Sequence, residues 1–297
     1  MMSLLSLITR VIALNIIMFS DVSCSSSLKV VMLGDWGGLP IFPYKTFVEL
    51  SVGREMSYLA SKFGVDFILA LGDNFYLDGV KDVDDPRFKE TFETAFGYES
   101  LHVPWFLIAG NHDHYGNVSA QLAYSSKSDR WHFPALYYKK NLKVPLSNFT
   151  VDVVMTDSII LCGNTDPAEP YKQPLFDSIN LHKSKKHWEW LEDVLKSSKT
   201  HYLLVCGHYP VYSIGSHGNT NCLVKYLKPL LEKYNVSAYL SGHEHNMQHI
   251  QVQDIDYIIS GSANFIDPSK KHIDEIPPKS LLFHWDCSCF VLLAIFL

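Results

Sequence analysis

Five short apolar runs in this 297-residue chain each end in a glycine followed by a polar residue: Val30–Asp35, Phe67–Asp73, Phe106–Asn111, Leu203–His208 and Ala238–His243. Continuous rather than alternating apolar stretches are the pattern of strands buried on both faces of a parallel sheet. Each glycine lets the chain turn sharply, so that the following side chain projects from the C-terminal edge of the sheet. Ligand sites of open α/β sheets form at that edge. Five edges that carry only Asp, Asn and His predict a single metal-dependent hydrolytic centre.

Helical stripes fill the gaps between these runs. Val52, Met56, Leu59 and Phe63 share a face within about Leu50–Phe63, with Gly64 as a stop signal. Asp85 and Pro86 open a second helix, as N-cap and first-turn proline, whose apolar face is Phe88, Phe92 and Phe96. A third is predicted from about Ser184 to Leu195 through Trp188, Leu191 and Leu195, and a fourth near Cys222–Tyr234 through Leu223, Leu227, Leu230 and Leu231. Strands alternating with helices predict a mixed α/β fold with parallel or mixed sheets. The ligand-bearing runs fall in two halves, about Leu28–Gly110 and Tyr202–Ser260, which are expected to converge in one catalytic domain. Thr165–Asn180, rich in Pro and Asp and without periodicity, reads as a surface loop.

Composition narrows the class. Apolar and charged fractions of 47% and 19% are those of a globular protein. A net charge of -6 without a basic, aromatic-interleaved cluster gives no footprint for nucleic acid. Residues 1–24 have the form of an export signal, with Arg10 ahead of the apolar stretch Val11–Phe19 and a small-residue end at Val22-Ser23-Cys24. That stretch is too short to span a bilayer, so no stable membrane insertion is expected. Export gives meaning to three glycosylation sequons, at Asn117, Asn148 and Asn235. Of six cysteines, Cys24 lies in or beside the removed segment and Cys206 sits in an apolar run as a buried thiol. Cys287 and Cys289 are too close for an easy mutual bridge and have no evident partner.

Seven residues at or beside the strand ends are candidate ligands: Asp35, Asp73, Tyr76, Asn111, His208, His243 and His245. Seven exceed the needs of one tetrahedral ion. If one carboxylate bridges, they satisfy two adjacent metals, an arrangement that clamps both oxygens of a phosphoryl displacement. His243 and His245 are two apart, so on an extended segment they share a face and Glu244 points elsewhere. Tyr76 favours a strongly Lewis-acidic ion, since a phenol of pKa near 10 ionises at low pH only beside one; ferric iron fits better than zinc or magnesium.

Taken together, GDWG (34–37), GDNFYLDGV (72–80), GNHDHYGN (110–117), GHYPVYSIGSHGNT (207–220) and SGHEHNMQ (241–248) resemble the purple acid phosphatases, the small mammalian type in particular. The resemblance runs from about Lys29 to Trp285. It implies a metallophosphatase β-sandwich of two mixed sheets flanked by helices. It implies Fe(III) at Asp35, Asp73, Tyr76 and His245, and Fe(II), or Zn or Mn, at Asp73, Asn111, His208 and His243, with Asp73 as the bridge. It also implies substrate-side roles for His112 and His217, and a disulfide between Cys162 and Cys222. Asp113, His114 and Asn219 are weaker pocket candidates. In the family, the loop after the first of those cysteines can cover the site; here that is Thr165–Asn180.

The expected activity is acid hydrolysis of phosphate monoesters, on small molecules or phosphoproteins, by a secreted or lysosomal monomer. Rival readings are a phosphoesterase acting on diesters or nucleotides, and a truncated, catalytically silent secreted product. The second arises because the family continues past Trp285 with further strands, whereas residues 286–297 form a divergent apolar tail, and a sheet short of its last strands has open edges. The domain boundaries expected are thus 1–24, 25–285 and 286–297.

Overall fold

The computed structural model describes residues 27–162, 178–286 and 291–296. Twelve strands lie within these, each named here by its range: β1 Ser27–Leu33, β2 Phe67–Ala70, β3 Trp105–Leu107, β4 Trp131–His132, β5 Tyr138–Lys143, β6 Thr150–Met155, β7 Tyr202–Cys206, β8 Ala238–Ser241, β9 Met247–Val252, β10 Ile255–Ser260, β11 Leu281–Trp285 and β12 Val291–Phe296. They form a five-stranded sheet ordered β12-β1-β2-β3-β4 and a seven-stranded sheet ordered β11-β9-β10-β8-β7-β6-β5. Both are mixed: β1-β2-β3-β4 and β6-β7-β8-β10 run parallel, while β12, β5, β9 and β11 add antiparallel pairs at the edges.

The five apolar runs are β1, β2, β3, β7 and β8, so every expected strand end sits at the C-terminal edge of a parallel strand. Period-two geometry divides the second sheet between two cores. Val151, Val153, Met155, Leu204, Cys206, Ala238 and Leu240 join β1, β2 and β3 in one apolar cluster, and so pack the sheets together. Their alternates Val154, Leu203, Val205 and Tyr239 face the helical side, with Leu191, Leu195, Leu223, Leu227 and Leu231.

The first helix runs Phe47–Phe63 and starts at a capping box: Thr46 accepts from the Glu49 amide and Glu49 accepts from the Thr46 amide. Beside Phe88–Thr94, where the turns are wider than α-helical, Trp36, Phe75, Phe88, Phe92, Phe96, Trp105 and Trp131 form an aromatic block. The helix expected from about Ser184 is longer, Ser178–Ser197, and takes in the last residues of the Thr165–Asn180 segment. Residues 165–177 of that segment, like the export signal at 1–24 and the cysteines at 287 and 289, lie outside the described residues. Cys162 and Cys222 are bonded, as the resemblance implies, and tie the Ser158–Cys162 helix to the start of the Leu223–Lys233 helical stretch.

The tail supplies a strand. Val291–Phe296 pairs antiparallel with β1, from Ser27 opposite Phe296 to Met32 opposite Val291. The edge of β1 expected to stand open is covered, because an apolar, proline-free run satisfies its backbone groups. Among the described residues no helix is long and apolar enough to cross a membrane.

Candidate metal centre

The two sheets meet at their ligand-bearing edges. Gly34 N–H donates to the Ser260 carbonyl at 2.6 Å, and His243 N–H to Asp35 Oδ2 at 2.7 Å. The glycines are needed there for proximity more than for turning. Gly34 has an ordinary φ, but a Cβ on it would stand 3.0 Å from Gly242 Cα and 3.1 Å from the Ser260 carbonyl. A Cβ on Gly242 would lie 2.5 Å from Asp35 Oδ2. The left-handed backbone belongs largely to the ligand residues: φ is 60° at Asp35, 51° at Asp73 and 70° at His243. Such conformations cost on the order of 1–3 kcal/mol each and persist where the surroundings over-determine them.

All seven candidate ligands converge. Tyr76 O–H donates to Asp35 Oδ1 at 3.0 Å, and His245 Nε2 lies 3.2 Å from that phenol oxygen and 3.4 Å from Asp35 Oδ1. Beside this group, His208 Nε2 lies 3.4 Å from Asp73 Oδ2 and 3.0 Å from Asn111 Oδ1. The His243 ring is 5.1 Å from that of His208. Ligand atoms of Asp35, Asp73 and His208 all fall within 4.8 Å of one another, which links the two groups. His243 and His245 reach the site through successive tight turns rather than an extended strand: the Glu244 amide bonds the Gly242 carbonyl and the Asn246 amide bonds the Glu244 carbonyl.

The chemistry of this donor set fits cations. Asp35 and Asp73 are fully buried, and the cationic partners the structure gives them are imidazoles alone. Burial, with the charges of Asp35 and Asp73, holds the Tyr76 phenol well above its ordinary pKa, so a phenolate here requires a strong positive charge. Burial also lowers His243, helped by His217, His208, His245 and His112 around it, leaving a neutral imidazole able to ligate. His208 Nδ1–H donates to the Leu71 carbonyl at 2.8 Å, which aims Nε2 at Asp73 and Asn111. Burial works against a proton on His208, but the Asp73 carboxylate outweighs it and raises the group to about 10; a cation held by both would take that proton's place.

His112 and His217 flank the same centre. His112 Nδ1–H donates to the Leu77 carbonyl at 2.5 Å, leaving Nε2 4.0 Å from Asp73 Oδ2. The His217 ring lies 4.2 Å from that of His243. The weaker pocket candidates serve as braces instead. Asp113 accepts from the amides of Gly110, Asn74 and Phe75 and from Gln121 Nε2, clamping two ligand loops together. Burial and the nearby Asp73 push its carboxyl up to about 6. His114 bonds Asp157 at 2.7 Å, and Asn219 joins Ser213 N–H to the Glu275 carbonyl. Sequence reasoning missed Ser158, whose Oγ accepts from the amides of His208 and Tyr209; a serine 50 residues from its partner gives no signal.

The family model for calcineurin-like phosphoesterases matches residues 28–247. The chain belongs to this family of metallophosphoesterases. It is 47% identical to tartrate-resistant acid phosphatase type 5 of Rattus norvegicus over 263 residues, 88% of this chain and 80% of the relative. Purple acid phosphatase 7 of Arabidopsis thaliana is 31% identical, over 91% of this chain and 79% of its own. Within the family the chain therefore groups with the tartrate-resistant, purple acid phosphatases. Among solved structures, GAP50, the anchor in the inner membrane complex of Plasmodium, aligns at a TM-score of 0.76 and 26% identity, over 91% of this chain and 81% of its own.

Proposed function

We propose that the protein is an acid phosphatase that hydrolyses phosphate monoesters at a binuclear metal centre. The observation that carries this reading is the pair of adjoining donor groups, Asp35/Tyr76/His245 and Asn111/His208/His243, with Asp73 between them. The first group and Asp73 would hold Fe(III), with Tyr76 as the phenolate that gives a purple colour. The second group and Asp73 would hold Fe(II), or Zn or Mn, which the mixed N/O donors also suit. Two such cations, when bound, supply charge for the phosphate oxygens and acidify a water for in-line attack.

The chain's own residues do the rest. His112, oriented by the Leu77 carbonyl, and His217, beside His243, offer N–H donors to the phosphate and its leaving oxygen. Substrates would be small phosphate esters or phosphoproteins, and the enzyme a secreted or lysosomal monomer. Asn117, Asn148 and Asn235 are all exposed, as glycosylation requires. The test is steady-state hydrolysis by the purified enzyme at acid pH. Monoester turnover above diester turnover, lost in Asp73→Asn together with bound metal, supports the reading; faster diester turnover overturns it.

A further inference from the structure

Glu244 lies between two proposed ligands, yet it is fully buried and its side chain turns away from them. The successive turns through this segment send it the other way. His243 and His245 face the metal centre, whereas Glu244 and Gln248 face the stretch Ser213–Gly218. Gln248 Oε1 accepts from the Ile214 amide at 2.9 Å, and its Nε2 donates to Ser213 Oγ at 3.0 Å. Glu244 Oε1 accepts from the amides of His217 and Gly218, at 2.9 and 3.0 Å. Its other oxygen, Oε2, has no hydrogen-bond partner among the described residues and stands 3.4 Å from His217 Nδ1, while Ser216 Oγ lies 3.5 Å from the same nitrogen. Space for that oxygen is made by Gly215, where any Cβ would overlap it.

A buried carboxylate beside one imidazole nitrogen fixes the proton on that nitrogen and sets the plane of the ring. We propose that Glu244 is the positioning residue for His217: it fastens the backbone of His217 from below and sets its buried carboxylate against the Nδ1 edge of the ring, so that Nε2 is presented to the phosphate ester. The sequence thus uses one tripeptide, His243-Glu244-His245, to ligate metal with its outer residues and to set the leaving-group donor with its middle one. Glu244 touches no reacting atom in this scheme. The inference rests on the role of His217 in the proposed function.

The experiment is a double-mutant cycle of Glu244→Gln and His217→Ala on the metal-loaded enzyme, with Glu244→Asp as the conservative variant. Glu244→Gln is expected to lower kcat roughly 10- to 100-fold, reaching at most the lower end of a general acid's contribution, with KM and metal content little changed. The loss should be larger for alkyl phosphates, which need a proton on the leaving oxygen, than for p-nitrophenyl phosphate. Glu244→Asp should recover part of it, and Glu244→Gln should add nothing in the His217→Ala background. Multiplicative losses in the cycle, or equal losses for both leaving groups, would overturn the inference. A second readout separates its failure from that of the wider reading: the His217 Nδ1 proton resonance in ¹⁵N-histidine-labelled, metal-free protein. Its loss in Glu244→Gln supports positioning even if His217→Ala turns over normally, a result that would sink only the role of His217 in catalysis. A resonance unchanged in Glu244→Gln would overturn the positioning itself.

Discussion

An imidazole buried without a partner works against a protein at low pH, and His187 is in that position. It is fully buried, stacked on Tyr137 at 3.9 Å, and neither ring nitrogen has a hydrogen-bond partner among the described residues. Burial pushes it down to about 4, with only partial opposition from Asp157. The unfolded chain takes up a proton near 6.5, where the folded chain resists until about 4. The stability tied to a neutral His187 is therefore whole above pH 6.5 and lost as pH falls toward 4, by roughly 2–3 kcal/mol at about pH 4.5. His187→Phe keeps the stack and removes the titration. Urea unfolding at about pH 7.5 and about pH 4.5 should show the variant losing less stability than the parent by that margin; equal losses would contradict it. Nothing in the sequence marked His187, because the helical stripe of Trp188, Leu191 and Leu195 accounts for its neighbours without it. The convergence of the seven candidate ligands was legible for the opposite reason: each stands at or just beyond a strand end, so local pattern alone placed it at one edge. Asp113 was marked only as a pocket candidate and Glu244 not at all, since their work is done on backbone amides 39 and 27 residues away.

At the scale of elements, the strand ends were readable and the reason for most of their glycines was not; Gly72, at a φ of 91°, turns as the sequence reading expects. Turning is done by Asp35, Asp73 and His243 themselves, while Gly34, Gly110 and Gly242 let ligand loops from different strands touch. Proximity of that kind is a tertiary fact that no single run contains. Gly110 is the sharpest case, because a Cβ there would run into the Asp73 carboxylate and the Asp73 backbone nitrogen. Gly110→Ala is expected to displace Asp73 and to cost at least tenfold in metal affinity, within the 10–100-fold range typical of disturbed metal sites. Circular dichroism should stay near the parent's. Metal titration against a competing chelator checks this, and parental affinity would mean that the loop gives way without moving Asp73. Helix ends differed from the sequence reading by a few residues, as fraying ends do.

For the whole molecule, two mixed sheets share one apolar core and bring their ligand edges together, as the two halves of the sequence predict. Less legible was the place of the tail, because its apolar residues gain meaning only beside the open edge of β1. Every step from strand ends to phosphate chemistry depends on one claim, that Asp35, Asp73, Tyr76, Asn111, His208, His243 and His245 together hold two metal ions. The most direct measurement is metal analysis of the purified protein with its visible absorption spectrum, alongside Tyr76→Phe. About two metals per chain with a purple phenolate band that vanishes in Tyr76→Phe is the predicted result; colourless, metal-poor protein, or a band that survives the substitution, would contradict it.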